Sequence, residues 1–209
     1  MCGILGGINT RFDLASVRRL SHRGPDQLDL DVQHPGPDLE VKLGQVRLNI
    51  VDRHDIELPV RVLPKGGGKT ATIIFNGEIY NWVELRAELE ALGWAFRTKT
   101  DTEVALVAYL EWGPRCLPKF NGMFAIAIWD GDKFFCARDR LGKKPFFYRC
   151  VGQAFEFASE VKAFAELSFI GNDLFDLLEF CPNEHTLYKD VFSPVSYTHL
   201  RAHETKANL

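Results

Sequence analysis

The residue with the most chemistry to offer stands second in the chain: Cys2, between Met1 and Gly3. Methionine before a small residue is commonly trimmed, and trimming would leave Cys2 as the terminus. A terminal cysteine joins a thiol of reference pKa about 8.5 to an α-amine of about 7.7–8.0. The amine can then act as the base that activates its own side chain. Gly3 beside it would let a substrate approach closely. The plainer alternative is a small buried hydrophobe, the usual fate of a free cysteine. On Cys2 alone, that plainer reading is the stronger.

Two other patterns imitate sites and fail on spacing. Gly68-Lys69-Thr70 has the look of the end of a phosphate-binding loop, but that motif needs a glycine where Leu63 stands. It reads as a flexible loop. His199 and His203 lie four apart, a spacing that could seat a metal on a helix, yet no third ligand accompanies them and no metal site is expected. The remaining cysteines, Cys116, Cys136, Cys150 and Cys181, show neither a C-x-x-C pair nor zinc-ligand spacing.

These residues must be positioned by a chain of 209 residues, enough for one substantial domain and a short appendage. With 46% hydrophobic and 25% charged residues, 16 Phe and 4 Trp, it has an ordinary soluble composition and ample bulk for a core. A net charge of -3 leaves no basic surplus for phosphates, which argues against nucleic acid as a partner. The longest apolar run, Met123 to Trp129, is far short of the roughly 20 residues that span a bilayer. The N-terminus lacks the basic region of a signal peptide. A cytoplasmic protein without membrane association or disulfides is expected.

Residues 2 to 8 read as a buried first strand and Leu39 to Val46 as a second, with a loop over Ser21 to Asp38. A further loop runs from His54 to Lys69. Ala71 to Phe75 is a β-rich run that should stop at the turn-forming pair Asn76-Gly77. Asn81 can cap a helix whose apolar face is Trp82, Leu85, Leu89 and Leu92, ended by Gly93. Thr100-Asp101-Thr102-Glu103 has the form of a capping box, and the helix it opens is apolar nearly all round through Trp112.

Met123 to Trp129 and Lys133 to Ala137 flank Asp130-Gly131-Asp132, a hairpin pattern. The first of these strands is apolar on both faces: Phe124, Ile126 and Ile128 on one, Ala125, Ala127 and Trp129 on the other. A sheet with one wet face would alternate with polar residues, so this sheet must be covered on both sides. An α+β, four-layer αββα sandwich of two antiparallel sheets meets that demand. Strands are also expected at Pro145 to Tyr148 and Ala154 to Ala158, with a helix near Glu160 to Glu166.

Seven ordered strings then change the weight given to Cys2. They are Met1-Cys2-Gly3-Ile4, His22-Arg23-Gly24-Pro25-Asp26, Arg47-Leu48-Asn49-Ile50-Val51-Asp52 and Phe75-Asn76-Gly77-Glu78-Ile79-Tyr80-Asn81, followed by Thr100-Asp101-Thr102-Glu103-Val104, Asn121 through Asp130, and Ala137 through Pro145. Spread from Met1 to Pro145, they resemble the class II glutamine amidotransferases, most closely the glutamine-hydrolysing asparagine synthetases.

The resemblance implies an N-terminal nucleophile hydrolase fold with Cys2 as nucleophile. It implies an oxyanion hole from the Asn76 side-chain amide and the Gly77 backbone N–H, which would stabilise a tetrahedral intermediate. Arg47 would clamp the α-carboxylate of glutamine through its planar fork, and Asp101 would hold the α-ammonium. Glu78 and the backbone near Ile50 would complete the pocket. An arginine at a strand end is also an ordinary solvated charge, and Asp101 in a first helical turn is already favoured by the helix dipole. His22 to Asp26 should shape the pocket loop, and Arg138 to Pro145 should form a rigid hairpin end.

The domain so implied covers residues 2–192. Residues 193–209 are polar and aperiodic and read as foreign to it, a truncation scar or a misread end, outside the fold. Pro182 to Phe192 looks like the family's link towards an ATP-using synthetase domain, whose Ser-Gly-Gly-x-Asp-Ser loop is missing here. ATP and magnesium would belong to that partner domain; no cofactor is expected for this one. L-glutamine is the expected substrate. Two alternatives stay open: ammonia delivered to an acceptor other than aspartate, or a scaffold remnant without activity.

Overall fold

The computed structural model describes residues 1–50, 56–169, 184–194 and 199–201. Val51, Asp52, His54, Cys181, Pro182, Asn183 and His203, named above, lie outside them. Among the described residues no helix is long and apolar enough to cross a membrane, and the four described cysteines are free thiols.

Among the described residues, ten strands form two five-stranded antiparallel sheets. The first holds β1 (Gly3–Ile8), β2 (Gln27–Gly36), β3 (Leu39–Arg47), β8 (Phe147–Val151) and β9 (Ala154–Ala158), in the order β2-β3-β1-β9-β8. The second holds β4 (Val60–Val62), β5 (Ala71–Ile79), β6 (Gly122–Trp129), β7 (Phe134–Arg138) and β10 (His199–Arg201), in the order β10-β7-β6-β5-β4. The two-faced reading of β6 holds. Ala125, Ala127 and Trp129 pack with Ile4, Val41, Leu43 and Phe157 between the sheets. Phe124, Ile126 and Ile128 face α2 (Trp82–Ala91) and α3 (Asp101–Trp112) on the other side. Each apolar side chain so enclosed contributes roughly 1.5–3 kcal/mol, which is why an all-apolar strand demands this double cover.

The fourth layer is thin. On the outer face of the first sheet, Leu5, Val46 and Ala158 are covered by Val17 and Leu20, in and just after α1 (Leu14–Arg18), and by Ala163 and Phe164. The helix expected near Glu160 to Glu166 is only a 3-10 turn, Val161–Ala163.

Four other expectations need correction. Ser21 to Asp38 is not all loop, because Leu28, Leu30 and Val32 alternate through β2, whose partner β3 supplies the backbone bonds. Asn76-Gly77 is not a turn: β5 continues through it to Ile79, paired with β6 along its length. Asn81 does not cap α2 with its side chain; it binds the Lys119 carbonyl and the Asn121 N–H instead, at 3.0 and 2.9 Å. The capping box is half formed. Thr100 accepts from the Glu103 N–H, but Glu103 turns away to take the N–H groups of Arg97 and Thr98.

Nor do the residues after 192 all stay outside the fold. Arg138 donates to Ser193 Oγ and to the Pro194 carbonyl, at 3.1 and 2.9 Å. His199–Arg201 then pairs with Phe135 to Ala137 of β7. Backbone pairing along an exposed strand edge needs no apolar periodicity, so composition did not reveal it.

Candidate active site

The predicted site residues come together. Cys2, Arg47, Ile50, Asn76, Gly77, Glu78 and Asp101 all line one cavity of about 100 Å³, a volume suited to a small solute rather than a drug-sized ligand. It opens where the ends of β1 and β3 meet the middle of β5 and the start of α3. Met1, Gln45, Leu48 and Lys144 line it too.

Cys2 is held from both sides. The Leu48 N–H lies 3.4 Å from its Sγ, and its carbonyl accepts from Arg23 Nε at 2.9 Å. Arg23 is itself ion-paired to Glu160 at 2.8 Å, and His22 meets the same carboxylate. Those bonds and the cations around it hold Glu160 down at about 2 despite its partial burial. The His22 to Asp26 loop thus holds the Cys2 backbone through Arg23. At Gly3 a Cβ would press on Val46, Arg23 and Leu20 at 3.0–3.2 Å, so the glycine also admits the protein's own packing. Burial pushes the Cys2 thiol up, and the Leu48 N–H, the terminal ammonium and Arg47 oppose that rise.

The open edge of β5 is the central feature. Along a strand, alternate N–H groups point to opposite sides. The Gly77–Phe124 pair is not hydrogen-bonded, because Phe124 exchanges both its backbone bonds with Asp139. The N–H groups of Phe75, Gly77 and Ile79 therefore point away from β6. On that side β4 ends opposite Ile73. Gln45 Oε1 takes the Phe75 N–H at 3.3 Å, and Asp101 Oδ2 takes the Ile79 N–H at 3.0 Å. Between them, the Gly77 N–H has no partner among the described residues. The residue must be glycine, since a Cβ would fall 2.3 Å from the Met123 carbonyl oxygen.

Asn76 is fully buried beside it. Its Nδ2 lies 3.4 Å from Ser159 Oγ, and its Oδ1 has no partner. Arg47 lines the cavity with one guanidinium arm on Gln27 at 2.8 Å. Asp101 is 5% exposed, and burial, opposed by the Ile79 bond and aided by the Glu78 charge, raises its pKa to about 6. Burial likewise raises Glu78, against the pull of Lys144. Ile50 stands exposed at the rim.

Sequence reasoning missed three contributors. Lys144 belongs to a hairpin end that is indeed rigid, with Asp139 accepting from the N–H groups of Leu141, Lys143 and Lys144. Yet its side chain is buried in the cavity wall, making no hydrogen bond or ion pair with a described residue. Burial and the Arg23 charge lower its pKa, while Cys2, Asp139 and Glu78 hold it up. Gln45 rivets the two sheets through Phe75. Leu48 acts through its backbone alone, which no side-chain motif reports.

A family model for the glutamine amidotransferase domain matches residues 1–208. Glutamine-hydrolysing asparagine synthetase 3 of Bacillus subtilis is 42% identical over 173 residues, 78% of this chain and 27% of that protein. A putative glutamine-hydrolysing asparagine synthetase 2 of Methanocaldococcus jannaschii is 34% identical over 222 residues, 92% of this chain and 42% of that protein. The chain thus spans less than half the length of these relatives. Glutamine phosphoribosylpyrophosphate amidotransferase of B. subtilis shares the fold, with a TM-score of 0.64 and 21% identity over 78% of this chain and 43% of that one. With the family model matching nearly every residue, and the two-sheet fold shared with a known amidotransferase, the chain belongs to the glutamine amidotransferase domain family, related to the glutamine-hydrolysing asparagine synthetases.

Proposed function

We propose that this domain hydrolyses L-glutamine to glutamate and ammonia with Cys2 as nucleophile. The observation that carries the reading is the Gly77 N–H on the open edge of β5, without a partner among the described residues, in a cavity that also holds a thiol, a buried cation and a buried carboxylate. An N–H withheld from the sheet is a preorganised donor for an oxyanion, and such donors work best where water is excluded.

The base takes the thiol proton as the Cys2 sulfur attacks the side-chain carbonyl carbon of glutamine, and the carbonyl oxygen becomes an oxyanion facing the Gly77 N–H and the Asn76 amide. The C–N bond breaks, ammonia leaves with a proton from the base, and a γ-glutamyl thioester remains on Cys2. Water, deprotonated by the same base, cleaves the thioester. Arg47 takes the α-carboxylate and Asp101 the α-ammonium, so two opposite charges fix the α-end of a free amino acid. The base is the α-amine of Cys2, created by removal of Met1. Met1 lines the cavity and is more than half exposed, within reach of processing, and its loss would enlarge the site.

The ammonia is used, on this reading, for ATP-dependent synthesis of asparagine from aspartate by a synthetase half. The names and lengths of the two curated relatives support that assignment. ATP and magnesium belong to that half, and the glutaminase step draws on neither.

Replacing Cys2 by Ala should abolish glutamate release from glutamine and leave the melting temperature within a few degrees of wild type. Intact-mass analysis with an electrophilic glutamine analogue should show a wild-type chain lacking Met1 and carrying one adduct, absent from the variant. Undiminished turnover in Cys2→Ala would refute the assignment.

A further inference from the structure

Ser159 sits between the nucleophile's strand and the oxyanion-hole residue. It is fully buried, directly after β9. Its Oγ accepts the Ile4 N–H at 3.0 Å, two residues from Cys2, and its own N–H donates to the Ile4 carbonyl at 2.8 Å. The Asn76 amide lies 3.4 Å from the same Oγ. With nitrogen placed on that side, two groups are stranded at once. Asn76 Oδ1 is buried without a donor, and the Ser159 hydroxyl proton has no acceptor among the described residues.

One half-turn of the amide satisfies both. The oxygen and nitrogen of an asparagine amide have nearly the same shape and are told apart by what they bond. With Oδ1 towards Ser159, the hydroxyl donates to it while still accepting from Ile4. A buried oxygen no longer lacks a donor. The NH2 group then occupies the other position, in a residue that lines the cavity beside Gly77.

We infer that Ser159 is a positioning residue: its hydroxyl fixes the Asn76 amide with nitrogen towards the bound substrate, completing a two-donor oxyanion hole with the Gly77 N–H. The inference rests on the glutaminase reading above and names what orients one of its donors. Without the hydroxyl, the amide loses the contact that distinguishes its two ends, and an oxygen facing the developing oxyanion repels it.

The test is steady-state glutaminase kinetics of the full chain. Ser159→Ala should lower kcat by roughly 10- to 100-fold, less than the 10²–10³ typical of losing a donor outright. KM for glutamine should stay within about twofold, because the ground-state amide gains little from the hole. Asn76→Ala combined with Ser159→Ala should be no slower than Asn76→Ala alone, since Ser159 acts only through that amide. Ser159→Cys keeps the shape with a weak donor, and should fall between wild type and Ser159→Ala; it serves as well should the alanine variant fail to fold. A full rate in either single variant, or multiplying losses in the double variant, would overturn the inference. A wild-type chain that lacks Met1 yet neither turns over glutamine nor forms the Cys2 adduct would instead remove the reading beneath it.

Discussion

Strands β1, β3 and β5 each pass through two buried regions of opposite character. Between the sheets, Ile4, Val41, Leu43 and Ile74 meet Phe134, Phe146 and Phe157. Phe157 stacks on Phe146 at 5.3 Å and meets the edge of Phe134 at 5.4 Å. No orphaned polar atom falls in that layer among the described residues. A few residues along the same strands, Cys2, Gln45, Arg47, Asn76 and Gly77 border the cavity. There, among the described residues, the buried polar groups exceed their partners: an N–H without an acceptor at Gly77, an amide bonded at one end only at Asn76, a lysine without a counterion contact and a carboxyl raised to about 6. One region is satisfied by the protein itself. The other leaves polar groups that the proposed substrate would satisfy.

Exchanging the two kinds of loss tests that distinction. Phe157→Ala should cost about 3–5 kcal/mol of stability through lost burial and an unfilled cavity. Chemical denaturation would show this as a lower midpoint, while turnover per folded molecule stays near wild type. Asn76→Ala should do the reverse. It should lower kcat by about 10²–10³, equivalent to roughly 2.7–4 kcal/mol on the barrier, with little fall in the unfolding midpoint because the buried amide that goes with the side chain is bonded at one end only. If Asn76→Ala destabilised the fold as much as Phe157→Ala, the cavity would be ordinary core.

The core was far more legible than the cavity, for a physical reason. The satisfied region writes itself in side-chain types: the all-apolar Met123 to Trp129 run alone demanded two covering layers, and both exist. The cavity depends on where backbone groups point, which composition does not carry. Asn76-Gly77 resembles a turn because both residues tolerate one. Only the neighbours show why it is a strand, with the Met123 carbonyl pressed against the bare Gly77 Cα and β4 ending too early to cap it. Lys144 and Ser159 were invisible for a related reason. The first reads as one charge among several in Arg138 to Lys144, and the second meets Asn76 across 83 positions of chain. The family resemblance identified the residues of the site; the register of β5 explains what they have in common.

The smallest of the three effects concerns Asp101, where the two regions would conflict on one residue. Its folded pKa of about 6 lies above the ordinary value of about 3.9. Between those values the folded state binds more protons than the unfolded one, so the contribution of Asp101 to stability falls as pH rises through that window. At neutral pH, holding the carboxylate charged costs the fold up to about 3 kcal/mol. Asp101→Asn keeps an oxygen for the Ile79 N–H and removes the charge. The variant should therefore unfold at higher denaturant than wild type at pH 7, with the gap closing near pH 4. Its activity should move the other way. Protonation of the α-amine base already lowers kcat/KM below about 8; in wild type the fall should steepen by a further factor of about ten per pH unit below about 6, where the Asp101 carboxyl is neutral and no longer holds an ammonium. Asp101→Asn should show a raised KM and keep only the shallower fall due to the amine. A variant gaining stability without losing glutamine affinity would mean that the buried charge is retained for something other than the substrate's amine.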